Sequence, residues 1–475
     1  MRPHVDTPAH STSRGVGRRS LLKAAGATAL ASAVAAAGSG TAHASEDAPW
    51  DAIVIGAGYA GGTVARELTA RGLSTLVLEA RDRIGGRVWT STFAGERVEL
   101  GGGWFGPGQH LVERELQRYS VGTTLDIAPT VAVMPDGNGY RSAAPEETFG
   151  RLGTLFDEFY AGSAEYFARP LEPLHRKDLL ETVDRLSLAD RIKQLDLSPV
   201  DHQWVAGSTA PFAGSNDWGG LTGLAQWYQL AGGTYDGFHS TMSLRPDGGM
   251  TSVLSAMFAE SKAAVRLNSR VTSVSRAGGG WTQVRLGGGQ TYRSRVVVVA
   301  TPVNTWGTIA FTPGLPKVHT DATREGVGVP HATKLWLHVR GSSDAVYAQS
   351  DETGPIQLLL PQQELPGGRL YVGFSGPSLN VSDRATVQAA VRRFIPGATL
   401  VGHRAMEWSK DTYARGGWGL RRPGQLLRQL PAIQQPHGQV VFAGSDIASG
   451  WYGAFVEGAI ESGLRAADQA AALAD

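Results

Sequence analysis

Gly56-x-Gly58-x-x-Gly61 constrains this chain most, because of what stands on either side of it. Before it, Asp51-Ala-Ile-Val-Ile55 is a short apolar run that stops at glycine, as a buried parallel strand does. After it, Ala60, Val64 and Leu68 repeat at helical spacing, with Arg66, Glu67 and Arg71 on the other side, which predicts a helix with a charged outer face. Ser74 to Leu78 then begins a second strand, completing a βαβ unit. Glycines at that turn let backbone amides of the helix N-terminus face a pyrophosphate with no side chain in the way. Glu79, 23 residues after Gly56, stands where an acid accepts hydrogen bonds from both ribose hydroxyls and disfavours a 2′-phosphate. The triplet alone is no more than a glycine turn. Strand, glycines, helix and acid in order predict dinucleotide binding.

The rest of the chain alternates in character. Residues 151–210 carry apolar pairs at helical spacing, such as Leu155/Phe156 with Phe159/Tyr160 and Leu179/Leu180 with Val183, and predict a helical part of a second domain. From Val265 to Ala300 the pattern is strand-like, with Val271 to Val274, a turn at Ala277 to Gly280, Trp281 to Leu286, and Val296-Val-Val-Val-Ala300 as a central strand. The end of the chain repeats the opening theme: strand Val440 to Ala443, a polar turn Gly444-Ser445-Asp446, then a helix carrying Val456, Ile460, Gly463 and Ala467 on one face. Cofactor-binding pieces at both ends predict a discontinuous cofactor domain, residues 45–125, 245–305 and 402–475, with a substrate domain from 126–244 and 306–401.

Residues 1–44 read as a cleaved targeting segment: Arg18-Arg19-Ser20-Leu21-Leu22-Lys23, an apolar run Ala24 to Ala37, and a small-residue site Ala42-His43-Ala44. The paired arginines resemble a twin-arginine export signal, which implies a secreted or cell-envelope protein; an ordinary secretory signal is the alternative. The apolar run is too short for a stable membrane span. Without residues 1–44 the chain has 39 Lys/Arg against 42 Asp/Glu, a balance that gives no electrostatic reason to expect nucleic acid or an anionic membrane as partner. The sequence does not fix oligomeric state and allows a homodimer. With no cysteine in 475 residues there is no disulfide, thiolate metal site, cysteine nucleophile or cysteinyl flavin linkage. The 12 histidines show no metal-ligand spacing and there is no G-x-S-x-G elbow, so metal and hydrolase readings fall away. Arg421-Arg422 reads as solvated surface.

Beyond Glu79 the chain continues Ala-Arg81-Asp-Arg83-Ile-Gly85-Gly86-Arg87, then Glu99-Leu-Gly-Gly102-Gly-Trp104-Phe-Gly-Pro107. These stretches resemble the flavin amine oxidase superfamily, which includes monoamine, amino acid and polyamine oxidases. The likeness recurs at Asp247-Gly-Gly-Met250, at Val271, at Ala300-Thr-Pro302 and at Phe442-Ala-Gly-Ser-Asp446. It implies a two-domain α/β fold, a Rossmann-like FAD domain with an α+β substrate domain, and FAD as cofactor; with no cysteine in the chain the flavin is expected to be held without a covalent bond, while composition leaves linkage through histidine open. By that resemblance Gly56, Gly58, Gly61, Glu79, Arg81, Arg87, Gly102, Trp104, Val271, Gly444, Asp446 and Phe455 are the expected cofactor residues. Arg87 would neutralise the pyrophosphate, Val271 would meet the adenine, and Gly444 to Asp446 with the start of the last helix would meet the ribityl chain and pyrimidine edge.

The same resemblance supplies the expected catalytic side. Lys334, in the alternating stretch His331-Ala-Thr-Lys-Leu-Trp-Leu-His338, would be a solvent-facing charge by pattern alone; in the family such a lysine holds a water near flavin N5. Trp418, in Trp408-Ser-Lys-Asp-Thr-Tyr-Ala-Arg-Gly-Gly-Trp418, and Phe455, anchored on Glu457-Gly458-Ala459, would sandwich the amine. Monoamine oxidases place tyrosine at both positions. Trp418 with Gly444-Ser-Asp-Ile-Ala-Ser-Gly-Trp451 resembles instead the bacterial nicotine and pseudooxynicotine oxidase branch. The expected function is oxidation of a small amine to an imine, hydrolysed to aldehyde or ketone, with oxygen reduced to peroxide. The alternatives are a dehydrogenase or desaturase of the same fold with another acceptor, or a flavin-binding redox partner without turnover.

Overall fold

The four-valine run organises the larger of two sheets in this computed structural model, which describes residues 48–475. The expected leader, residues 1–44, lies outside the described residues. Strand Thr291–Val299 runs parallel to Trp50–Ile55 along one edge; along the other its first half pairs antiparallel with Thr282–Leu286 and its second half parallel with Val440–Phe442. Beyond these lie Thr75–Leu78 and Ala264–Arg266 on one flank, and Val271–Arg276 and Ala310–Thr312 on the other. Val296 to Val299 are wholly buried because both faces of the sheet are covered. Val296 and Val298 pack with Ala52, Val54, Val64 and Ile460; Val297 and Val299 pack with Ile53, Ile55, Leu76 and Phe442. Each such burial stabilises by roughly 1.5–3 kcal/mol.

Helices Tyr59–Ala70 and Val456–Ala474 cover one face of this sheet. A Cβ at Gly463 would lie 2.7 Å from Thr63 Cβ, so glycine is what lets these helices approach. Arg66 departs from expectation. It is buried rather than on an outer face, and its guanidinium donates to Glu115 Oε1 at 3.0 Å and to Tyr119 at 3.0 Å. Helix His110–Arg118 packs over that side and supplies the carboxylate, so the helix has no free charged face at this turn.

The second sheet has seven strands, in order Thr399–Glu407, Thr333–Arg340, Gly368–Ser375, Ile356–Leu365, Val346–Gln349, Val131–Asp136 and Gly139–Ala143. Helices between Pro145 and Ser240 pack beside it, and Leu155, Phe156, Phe159 and Tyr160 are buried as their spacing predicts. Two strands cross the expected segment boundaries. Ala310–Thr312 pairs with Val271–Arg276 and belongs to the cofactor sheet, while Thr399–Glu407 pairs with Thr333–Arg340 and belongs to the second. Backbone pairing sets sheet membership here, and neither strand carries a compositional mark of the sheet it joins. No helix among the described residues is long and apolar enough to cross a membrane.

Candidate active site

A cavity of about 250 Å³ is lined by residues of both sheets. At one end stands the glycine turn. Gly56 has φ +108, and a Cβ there would lie 2.9 Å from the carbonyl oxygen of Ala300. Gly61 does not line the cavity: a Cβ would fall 1.9 Å from the Gly56 oxygen, so this glycine serves the packing of helix on turn. Gly58 and Gly444 do line it. A Cβ on Gly58 would meet nothing nearer than Gly85 O at 3.8 Å, and one on Gly444 nothing within 4 Å. Helices Tyr59–Ala70 and Val456–Ala474 both begin at the cavity wall, and neither has a side-chain cap, so their first amides are left for a ligand.

Glu79 is buried in the wall. Its Oε2 accepts from Ala57 N and its Oε1 from Arg81 N, both at 2.8 Å, which fixes the carboxylate and leaves further lone pairs for hydroxyl donors. The Arg81 guanidinium lies over the Tyr413 ring at 5.3 Å and pairs with Asp411. Arg87 lines the cavity while donating to Gly417 O and Asp446 Oδ1, each at 2.7 Å. Asp446 itself is not in the wall. Its other oxygen accepts from Val303 N at 3.1 Å, so it stands behind Arg87 and orients it. Gly102, Trp104 and Val271 line the cavity, with Ser269 and Arg270 beside the last.

The other end is aromatic. Trp104, Phe212, Trp227, Phe374, Trp418 and Phe455 share the wall with Thr241, Met242 and Lys334. Trp418 Nε1 donates to Phe212 O at 2.6 Å, and its ring meets Phe374 edge-on at 5.7 Å. Phe455, the residue before the last helix, meets Trp227 at 4.9 Å and Trp451 at 4.7 Å. Phe212, Trp227, Thr241, Met242 and Phe374 went unread in the sequence, where their segments carry no motif. Register held one clue: Lys334 and Phe374 stand directly opposite each other on paired strands and therefore point to the same face.

Lys334 is 3% exposed, against the solvent-facing pattern of its strand, because this face is covered by the 99–104 turn. Its Nζ donates to Gly101 O at 2.8 Å and lies 3.8 Å from the centroid of the Trp104 ring. Burial pulls its pKa down to about 7, with Glu99 acting in the opposite direction. Burial likewise raises Glu99, against hydrogen bonds from Thr90 and Met250 N. Arg421 corrects the sequence reading. It is 1% exposed, donates to Gln226 Oε1 at 2.7 Å and Ala448 O at 3.1 Å, and lies over the Tyr452 ring at 3.7 Å. Gln226 in turn donates to Ser449 O and Gly450 O, so Arg421 is a strut under the loop that leads to Phe455.

The sequence model for flavin containing amine oxidoreductases matches residues 59–471. The chain belongs to that family. It is a flavin-dependent enzyme acting on carbon–nitrogen bonds, and FAD is its cofactor. The residues present fit that cofactor: two glycines whose Cβ positions are open, an anchored acid in the wall, an oriented arginine and two uncapped helix starts. Among the described residues no histidine lines the cavity, and the chain has no cysteine. Among relatives, the chain is 35% identical over 427 residues to the nicotine dehydrogenase of Pseudomonas putida, covering 88% of this chain and 87% of that one. It is 29% identical over 429 residues to the (S)-6-hydroxynicotine oxidase of Paenarthrobacter nicotinovorans, covering 87% and 97%. In structure it resembles putrescine oxidase bound to putrescine, with a TM-score of 0.77 at 23% identity, covering 90% of this chain and 100% of that one; this likeness speaks to the fold.

Proposed function

We propose that the protein oxidises the carbon–nitrogen bond of a small neutral amine to an imine, which water hydrolyses to an aldehyde or ketone, with oxygen as electron acceptor and peroxide as product. The observation that carries this reading is the meeting of Lys334 with Trp418, Phe374 and Phe455 in one wall of the cavity. FAD, when bound, supplies an acceptor for a hydride equivalent from the carbon beside the amine nitrogen.

The chain's own residues supply the rest. Trp418, Phe374 and Phe455 present ring faces and edges that exclude water and confine the amine. Among the described residues Glu79 is the only carboxylate lining the wall, and it belongs to the glycine-turn end, so an ammonium at the aromatic end would meet ring faces but no carboxylate to pair with, and the neutral amine is favoured. Lys334, fixed by Gly101 O and Trp104, is placed to hold a water or to move a proton at Nζ. Because only the neutral amine has a free lone pair, kcat/KM should rise as pH approaches the amine pKa. The targeting segment supports export of the folded protein through a twin-arginine route.

A second reading keeps the same site and replaces oxygen with another acceptor; the relative named a dehydrogenase favours it. The test is an anaerobic absorbance scan of the flavin band with primary and secondary amines, followed by air. Bleaching by one amine class with prompt recovery and peroxide supports the oxidase. Bleaching that recovers only with an added artificial acceptor supports the dehydrogenase. A band that no amine bleaches refutes both.

A further inference from the structure

One side of the last helix, Val456–Ala474, carries a polar stripe that does not line the cavity. Glu457, Glu461 and Arg465 follow one another at i, i+4 spacing, and each bonds the backbone of another segment. Arg465 donates to Gln434 O at 2.9 Å and Phe442 O at 3.1 Å. Glu461 accepts from Ser449 N at 2.8 Å and Gly450 N at 2.9 Å. Glu457 accepts from Leu111 N and Val112 N, one on each carboxylate oxygen, both at 2.8 Å.

Leu111 and Val112 belong to the first turn of helix His110–Arg118, whose N-cap residue Gln109 supplies no side-chain cap. Glu457 therefore caps a second helix from the first turn of its own. A serine or aspartate at position 109 would do the same locally without burying a charge. Glu457 is instead 5% exposed, and burial pushes its pKa up to about 7 against the two amides; Glu461 adds to the rise and His110, which faces Glu113, opposes it. Charges on the other elements packed here are engaged elsewhere: Arg66 with Glu115 and Asp446 with Arg87, while Arg71 and Arg295 bond the far part of the helix at Ala467 and Ala474. The neighbours of Glu457 on either side, Val456 and Ala459, line the cavity at the uncapped start of the helix. That start offers a positive end to FAD, and reduction adds negative charge to the flavin.

We infer that Glu457 is a positioning residue that lowers the reduction potential of the bound FAD by opposing the positive end of this helix, and that its charge ties the ease of flavin reduction to pH. The inference rests on FAD meeting the helix start and is independent of which amine, or whether any amine, is oxidised.

The test is an anaerobic dithionite titration of the FAD-loaded protein against a dye of known potential, at pH 6 and pH 8. Dithionite supplies two electrons and water one proton, so the flavin alone makes reduction about a hundredfold less favourable over that interval. Lys334 titrates in the same range, so Lys334→Met protein is the reference. The reference should lose roughly tenfold more than the flavin proton accounts for. Adding Glu457→Gln should make reduction roughly tenfold more favourable at pH 8, about 30 mV for a two-electron couple, and change little at pH 6. Glu457→Asp keeps the charge with a shorter reach, so it should follow the reference in potential while Tm falls. A Glu457→Gln potential equal to the reference at pH 8, or shifted alike at both pH values, overturns the inference. If the Gln variant does not retain FAD, the reference decides: a loss no greater than about a hundredfold between pH 6 and pH 8 overturns it as well.

Discussion

Lys334 Nζ lies 3.8 Å from the centroid of the Trp104 indole, and this contact joins a strand of the second sheet to the glycine-rich turn of the cofactor side. Trp104 is itself fixed, since its Nε1 donates to Asp126 at 2.7 Å. A carboxylate on the indole N–H and an ammonium over its face make a continuous electrostatic chain into the cavity wall. Lys334→Met should therefore slow recovery of the flavin band in air by roughly 10²-fold, while anaerobic bleaching by amine slows less. Stopped-flow absorbance separates the two. Equal slowing of both phases, or of neither, removes Lys334 from the oxygen step.

The same lysine makes stability depend on pH. Its folded value near 7 lies below the unfolded 10.5, so between those values the unfolded chain binds the extra proton. Stability from this group is therefore lowest at and below pH 7 and rises toward pH 10. The full shift corresponds to about 5 kcal/mol as an upper bound, which the Trp104 contact reduces by favouring the ammonium. Lys334→Met should then be more stable than wild type at pH 7, and the advantage should shrink by pH 9. Urea unfolding at both pH values checks it; a difference that ignores pH refutes the buried-lysine account.

Legibility in the sequence followed locality. The glycine turn, Glu79 and the valine strand were readable because each rests on a contiguous pattern whose physical requirement is met by neighbours along the chain. Lys334, Trp418 and Phe455 came from motif resemblance, and all three line the cavity. Arg66 and Arg421 were misread for one reason: a charge in a sequence pattern looks solvated until its distant partner is known, and Glu115 and Gln226 lie 49 and 195 residues away. Phe212, Trp227 and Phe374 are likewise brought to the wall by tertiary packing, which leaves no periodic trace.

Gly58 and Gly61 should separate cofactor binding from folding. Gly61→Ala drives a Cβ to 1.9 Å from the Gly56 oxygen, and the turn or the helix must move. It should destabilise the apoprotein by about 3 kcal/mol or more. Gly58→Ala has space in the protein alone, and should leave the apoprotein within about 1 kcal/mol of wild type while FAD binding weakens at least tenfold. Apoprotein Tm and flavin titration give both numbers. A Gly58→Ala protein that binds FAD normally would mean that this turn does not meet the cofactor.

Arg421 should behave as a strut. Arg421→Ala leaves Gln226 Oε1 and Ala448 O without their donor and opens a void beside Tyr452. The expected cost is on the order of 3 kcal/mol, with KM for amine rising as the loop before Phe455 loosens. Arg421→Lys should not rescue, because a point charge cannot reproduce the two-directional fork. Denaturation and steady-state kinetics test this, and a neutral Arg421→Ala would return the residue to the surface role that its sequence suggested.

Trp418 links the reaction site to a second hollow of about 30 Å³ beyond it. Its indole N–H bonds the carbonyl of Phe212, a residue that lines both spaces, so Trp418 helps to set both its own wall and the position of Phe212. Trp418→Phe keeps an aromatic face but leaves the Phe212 carbonyl without its donor, which should cost about 1 kcal/mol and raise KM for amine only modestly. Trp418→Ala removes the face as well, and KM should rise roughly tenfold or more with FAD content unchanged. Measured together on one amine panel, the two variants distinguish a ring that confines substrate from a residue that only positions its neighbour. If Trp418→Ala loses FAD and leaves KM intact, Trp418 belongs to the cofactor wall and the amine must be confined by Phe374 and Phe455 instead.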